Sequence, residues 1–279
     1  DRVAVPQGAT VEDVRGRFMI PGLFDSHVHW GGSGGVGSAP IEQTEDRLSH
    51  DYAATLASGV TSVISLTDDV SAMEKLAVDV ASTRRNAPRT FYSGPSVTAR
   101  GGHPAAMFGF MPGLADLLTR QVDTPEQARA AIADLDRRRV DLVKLVLEPG
   151  LPGRQLPKLK DEVFLAAMAE AKSRRMRTTV HVGTDADARL AVEAGANGLE
   201  HTARGLSDDT IAMMAAKKVT FTPTLVVLDW AWKRGAIRGE DADVRRLAMP
   251  AIMKALLDPN SPLAMMLTEG PTAAAMEGA

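Results

Sequence analysis

The 279-residue chain contains no cysteine. That excludes disulfides and thiolate chemistry and leaves any metal to histidine, carboxylate or a modified side chain. It also lacks a basic block: the formal net charge is -3 and the isoelectric point lies near 6.1, which argues against a nucleic-acid partner. No apolar run approaches the roughly 20 residues needed to span a bilayer, so no membrane partner is expected. The sequence opens on Asp1, without a basic-plus-apolar stretch; its compartment is open, with the cytoplasm as default. What is present is ordinary globular composition, 44% hydrophobic and 24% charged. A single domain of this length and composition is most often an α/β barrel or an open α/β sheet.

The middle of the chain alternates short β-branched runs with amphipathic helical stretches. Strands are expected at 18–24, 60–66, 90–96, 140–147, 177–182, 198–201 and 219–226. Helices are expected at 41–58, 73–86, 125–139, 160–174, 186–194 and 207–217. Capping signals agree. Asp123-Thr124-Pro125-Glu126 opens one helix and Ser207-Asp208-Asp209 another, while Gly59 and Gly195 stand where helices close. About seven strand–helix units predict a parallel sheet with right-handed crossovers, close to the eight of a TIM barrel.

In that fold the active site lies at the C-terminal ends of the strands. His27 and His29 are two residues apart, so they can share one face of a strand and clamp a divalent metal. Lys144, His181 and His201 also fall at or near strand ends. Each alone has a plainer reading, as a core histidine bonded to backbone or, for Lys144, an ion pair with Glu148 or Asp141 or a Schiff-base lysine. Together, in the same topological position, they are far more specific.

The sequence resembles the amidohydrolase superfamily, in its imidazolonepropionase-like and Xaa-Pro dipeptidase-like branch. The resemblance rests on Met19-Ile20-Pro21-Gly22-Leu23-Phe24-Asp25-Ser26-His27-Val28-His29, on Val143-Lys144-Leu145, on Thr179-Val180-His181-Val182-Gly183 and on Gly198-Leu199-Glu200-His201-Thr202. It implies a metal-dependent hydrolase that cleaves a C–N bond in a cyclic amide or small dipeptide, using a metal-bridging hydroxide. His27, His29, Lys144, His181 and His201 would be metal ligands around two divalent ions, with zinc as default and manganese, iron or cobalt as alternatives. Lys144 would carry a CO2-derived carbamate, since an ammonium has only donors and a carbamate can bridge ions on the order of 3.5–4 Å apart. Lys144, His201 and His103 would be catalytic. His103, Arg100 and Arg204 would meet the small-molecule substrate, His103 from a Gly101-Gly102 turn and the arginines through a carboxylate.

The pattern departs from the family in two places. No Gly-Thr-Asp follows strand seven; Gly183-Thr184-Asp185 directly follows His181 and belongs before the next helix. Only a remnant of an N-terminal β-sandwich precedes the barrel. The expectation is therefore residues 1–16 as that remnant and 17–279 as an incomplete (β/α)8 barrel, a fragment or short form without strand eight. Open edges at strands one and seven would then leave the chain marginal, dimeric through those edges (a homo-oligomer) or poorly soluble. The alternative function is a metal-binding, catalytically inactive barrel. A Schiff-base lyase using Lys144 ranks below both, because it leaves four strand-end histidines unexplained.

Overall fold

The computed structural model describes residues 4–30, 45–82, 86–108, 113–151, 154–201 and 205–225. Its strands are β1 Leu23–Val28, β2 Val60–Ser65, β3 Arg89–Tyr92, β4 Ser96–Thr98, β5 Thr119–Gln121, β6 Leu142–Leu147, β7 Gly150–Leu151, β8 Arg154–Gln155, β9 Arg177–Val182, β10 Gly198–Glu200 and β11 Thr220–Thr222. Its α-helices are α1 Glu45–Ala57, α2 Val70–Ala81, α3 Leu114–Leu118, α4 Pro125–Arg137, α5 Asp161–Ser173, α6 Asp185–Glu193 and α7 Asp208–Lys217. One sheet runs β1-β2-β3 and a second β11-β10-β9-β6-β4-β5; β7 and β8 form a separate hairpin. Every pairing in the two larger sheets is parallel. The fold is an α/β, TIM-barrel-like one, present as a partial barrel among the described residues. None of the described helices is long and apolar enough to cross a membrane.

The largest differences from the sequence reading lie in the first and third strand–helix units. The first strand lies at 23–28 instead of 18–24, because Pro21 lacks a ladder donor and Gly22 packs against the Thr61 side chain. Phe18, Met19 and Ile20 are left exposed in coil. The shift carries His27 into β1 and leaves His29 one residue past its end. The expected strand at 90–96 is split in two: Gly94 (φ +63°) and Pro95 bend the chain, so that β3 pairs with β2 and β4 with β6. The third strand-to-helix connection also carries α3 and β5, where the sequence reading places no element. Residues 4–16 run as turns and irregular chain with exposed side chains.

Local chemistry accounts for most other boundaries. Asp69 caps α2, accepting from the Ser71 N–H at 2.9 Å, and so starts it three residues before the expected position. Thr124, Thr184 and Ser207 cap α4, α6 and α7. Gly59 and Gly195 leave their helices with φ +82° and +90°, as closing glycines do. Thr184 and Asp185 are thus spent on the start of α6, which agrees with setting Gly183-Thr184-Asp185 aside.

The core fixes which face of each strand looks inward. Val143, Leu145 and Leu147 of β6, Val180 and Val182 of β9 and Leu199 of β10 pack with Ile132, Phe164 and Ala191 of the helices. By the two-residue strand period, Lys144 and Val146, Thr179 and His181, and Gly198 and Glu200 face the barrel interior. The register pairs Val146 with His181 and His181 with Glu200, and one step deeper Lys144 with Thr179 and Thr179 with Gly198. A Cβ on Gly198 would stand 2.8 Å from Thr220 Oγ1 and 2.9 Å from Thr179 Oγ1. Gly198→Ala is therefore expected to cost about 1–3 kcal/mol by overpacking. A urea midpoint unchanged from the parent would show that the interior layer is loose at this level.

Candidate metal centre

Four strands deliver imidazoles to one place. The His27 ring lies 4.9 Å from His29 and 4.7 Å from His201, centroid to centroid, and His201 lies 4.2 Å from His181. His103, from the turn after β4, lies 4.7 Å from His181. His201 has φ +70°, a strained conformation for a non-glycine residue that clusters at functional sites. Strict alternation would turn His201 away from the interior that Glu200 faces. The left-handed turn breaks that alternation, and the Thr222 carbonyl accepts from the His201 N–H at 2.8 Å to hold it.

Most of these rings have one nitrogen committed to the protein. His27 Nδ1 meets Glu200 Oε2 at 2.6 Å, His29 Nδ1 meets the Leu66 carbonyl at 2.5 Å, His181 Nε2 meets Glu148 Oε2 at 2.8 Å, and His201 Nδ1 meets Thr224 Oγ1 at 2.9 Å. A carboxylate or carbonyl oxygen only accepts. The neutral rings of His27 and His29 therefore carry hydrogen on Nδ1 and a lone pair on Nε2. Those two Nε2 atoms are 3.2 Å apart. Facing lone pairs at that distance repel unless something positive lies between them. It is also close to the span of two tetrahedral ligands at Zn–N distances of about 2.0–2.1 Å, roughly 3.3 Å.

Lys144 supplies the second unresolved group. It is 2% exposed and its Nζ has no hydrogen-bond partner among the described residues. Neither alternative ion pair forms among the described residues: Glu148 meets His181, and Asp141 accepts from the Tyr92 N–H at 3.0 Å. Burial pushes the Lys144 ammonium down to about 8, with Glu200 partly opposing. Such a lysine is a readier nucleophile for CO2 than an exposed one.

Burial likewise drives the imidazoles toward their neutral, ligating form. It pushes His103 down to about 4, helped by the Lys144 charge, and lowers His181 and His201 below the ordinary histidine value. His27 is lowered by burial against the opposing pull of Glu200. His29 keeps part of its surface open to solvent, yet the atoms packed around its ring and the neighbouring His27 push it the same way. Among the described residues no three His, Asp or Glu side chains by themselves enclose a cation.

The Amidohydrolase family model matches residues 18–258. The chain belongs to the amidohydrolase family. It is 28% identical over 218 residues to an uncharacterized protein of Mycobacterium bovis, an alignment covering 77% of this chain and 52% of that one. The figures are the same for an uncharacterized protein of Mycobacterium tuberculosis. This amidohydrolase chain thus spans about half the length of the curated relatives it matches. Its fold is similar to the crystal structure of an amidohydrolase, with 25% identity and TM-score 0.69, covering 88% of this chain and 63% of that one. It is also similar to a prolidase complexed with N-methylphosphonate-L-proline, with 22% identity and TM-score 0.69, covering 99% and 68%. This second likeness bears on the fold alone.

Of the residues singled out in the amidohydrolase sequence, His27, His29, Lys144, His181, His201 and His103 are brought to this end of the barrel. Arg100 lies two residues past β4; its Nε donates to Asp123 Oδ2 at 2.8 Å and its side chain is 64% exposed. Arg204 lies outside the described residues. Sequence reasoning passed over Glu200 as a site residue. Its signal was present, a carboxylate at the last position of a strand ending beside a candidate ligand. Glu200 also accepts from Thr179 Oγ1 at 2.5 Å, so a second strand holds the carboxylate that orients His27. Partners of this kind fix ligand tautomer and basicity.

Proposed function

We propose that this amidohydrolase is a metal-dependent hydrolase that cleaves a carbon–nitrogen bond in a small dipeptide or cyclic amide, its catalytic unit being the barrel from residue 17 onward. The reading is carried by the two Nε2 atoms of His27 and His29, 3.2 Å apart with converging lone pairs. Lys144 supports it: it is buried, its Nζ has no hydrogen-bond partner among the described residues, and its charge acts on both rings. His27, His29, His181 and His201 would hold two ions, zinc first and manganese, iron or cobalt as alternatives, with Lys144 as the bridging carbamate. Such ions supply a Lewis acid for the scissile carbonyl and a means of ionising water near neutral pH.

The chain's own residues do the remaining work. Glu200 and the Leu66 carbonyl keep Nδ1 of His27 and His29 protonated, so each Nε2 is free to ligate. His103 is the side chain assigned to substrate, in preference to Arg100, whose Nε donates to Asp123. The prolidase among the structural neighbours makes a proline dipeptide the first substrate to try.

The test is elemental analysis of the full chain purified with bicarbonate and zinc, followed by an assay against proline dipeptides and cyclic amides. Near two equivalents of metal with turnover is the expected result. Two equivalents without turnover would make the chain a metal-binding, inactive barrel. Absence of stoichiometric metal would overturn the reading.

A further inference from the structure

We propose that Glu148 is the positioning residue of His181, and that Gly183 is glycine in order to admit it. The inference rests on the metal-centre reading above. Glu148 stands four residues beyond Lys144, one past the end of β6. Its Oε2 lies 2.8 Å from His181 Nε2, with both side chains largely buried. Its Oε1 accepts from the Gly150 N–H at 3.1 Å, so the carboxylate is held at both oxygens.

Gly183 forms the wall behind it. The Gly183 N–H donates to the Leu147 carbonyl at 3.3 Å, tying the end of β9 to the end of β6. A Cβ at Gly183 would lie 2.9 Å from Glu148 Oε1 and 2.9 Å from Pro149 Cδ. Real Cβ atoms do not sit that close, so a side chain there must displace its neighbours, and the carboxylate at the end of the flexible Glu148 side chain gives way more cheaply than the Pro149 ring. The requirement is for space, since Gly183 is not among the positive-φ glycines.

The consequence is a chosen tautomer. A carboxylate accepts and cannot donate, so its contact requires hydrogen on Nε2 and leaves the lone pair on Nδ1. This is the reverse of His27 and His29, which hold hydrogen on Nδ1. Glu148 is therefore not itself a ligand; it decides which nitrogen of His181 can be one. Removing an outer partner of this kind typically lowers metal affinity 10–100-fold.

The experiment begins on the parent chain. Long-range 1H–15N correlation spectra, with His181 assigned by its loss in His181→Asn, should show hydrogen on Nε2. Hydrogen on Nδ1 would overturn the proposal at once. Glu148→Gln keeps the size but brings an amide that can donate to Nε2 and admit the other tautomer. It is expected to lower zinc affinity about 10–100-fold in a chelator competition and to change the His181 spectrum. Zinc affinity within twofold of the parent, or a loss with the Nε2–H tautomer intact, would overturn it. Should Glu148→Gln not fold, Gly183→Ala is expected to produce the same two changes, with the same contrary outcomes. A parent chain that binds no zinc would sink the metal reading alone, since the tautomer measurement needs no metal.

Discussion

Lys144→Met is expected to stabilise the metal-free chain by roughly 3 kcal/mol at neutral pH while abolishing its capacity for two ions. The two effects have opposite signs, and that is what makes the variant informative. A buried ammonium without a hydrogen-bond partner is a cost to folding, and methionine offers similar length with no charge. The size follows from burial holding Lys144 down to about 8 against an ordinary 10.5, at about 1.4 kcal/mol per pH unit. The sign follows from linkage. The unfolded chain holds this proton more tightly than the folded one, so the cost is complete below about pH 8 and fades as pH rises toward 10.5. Urea unfolding of both chains at pH 7 and pH 10 should therefore show a gap that narrows at the higher pH. Elemental analysis should fall from near two equivalents to below one, because methionine cannot become a carbamate. A variant less stable than the parent at pH 7 would make Lys144 a paired structural residue and remove the ground for its carboxylation.

The strand faces explain why so much of this site could be read in advance. Lys144 and His181 sit on the inward side of strands whose other residues are apolar and β-branched, and a titratable group in such a run has few plain explanations. The positions of β2, β6 and β9 were legible for the same reason, with Gly59 marking the start of β2. The first strand was misplaced because an apolar stretch, 18–20, counts equally for a strand and for exposed coil. Only Pro21 and the Gly22–Thr61 contact decide between them, and that contact pairs residues 39 positions apart. The bend at Gly94–Pro95 was written in the sequence but not its consequence, which depends on β6 as well as β2. Glu148 was noticed as a partner for Lys144; its attachment to His181 depends on the space at Gly183, which belongs to another strand. The bond from Arg100 Nε to Asp123 depends on the end of another strand, and side-chain chemistry alone does not reveal it.

Acid should unfold the metal-free chain earlier than its carboxylates alone would dictate. His27, His103, His181 and His201 are all held below the ordinary histidine value of 6.5, chiefly by burial. In the unfolded chain each takes up a proton near 6.5, whereas in the fold it stays neutral to lower pH. Between those limits the unfolded state binds more protons, so stability rises with pH and is lost as pH falls below about 6.5. Each histidine contributes at most about 1.4 kcal/mol per pH unit. For His103, held down to about 4, the full loss is about 3 kcal/mol, spread from pH 6.5 to 4. The rings lie 4.2–4.9 Å apart, so charging one raises the cost of charging the next, and the fold cannot relieve the strain by taking up protons together. Most carboxylates titrate below pH 5, which leaves pH 6.5–5 as the histidine window. Urea unfolding across it should give a slope of several kcal/mol per pH unit, shallower by about one histidine's share in His103→Leu. A flat profile between pH 7 and pH 5 would mean the imidazoles protonate in place and that the cluster is open to water. Zinc should flatten the same profile by binding the neutral rings only in the folded chain, and that flattening should disappear in His181→Ala.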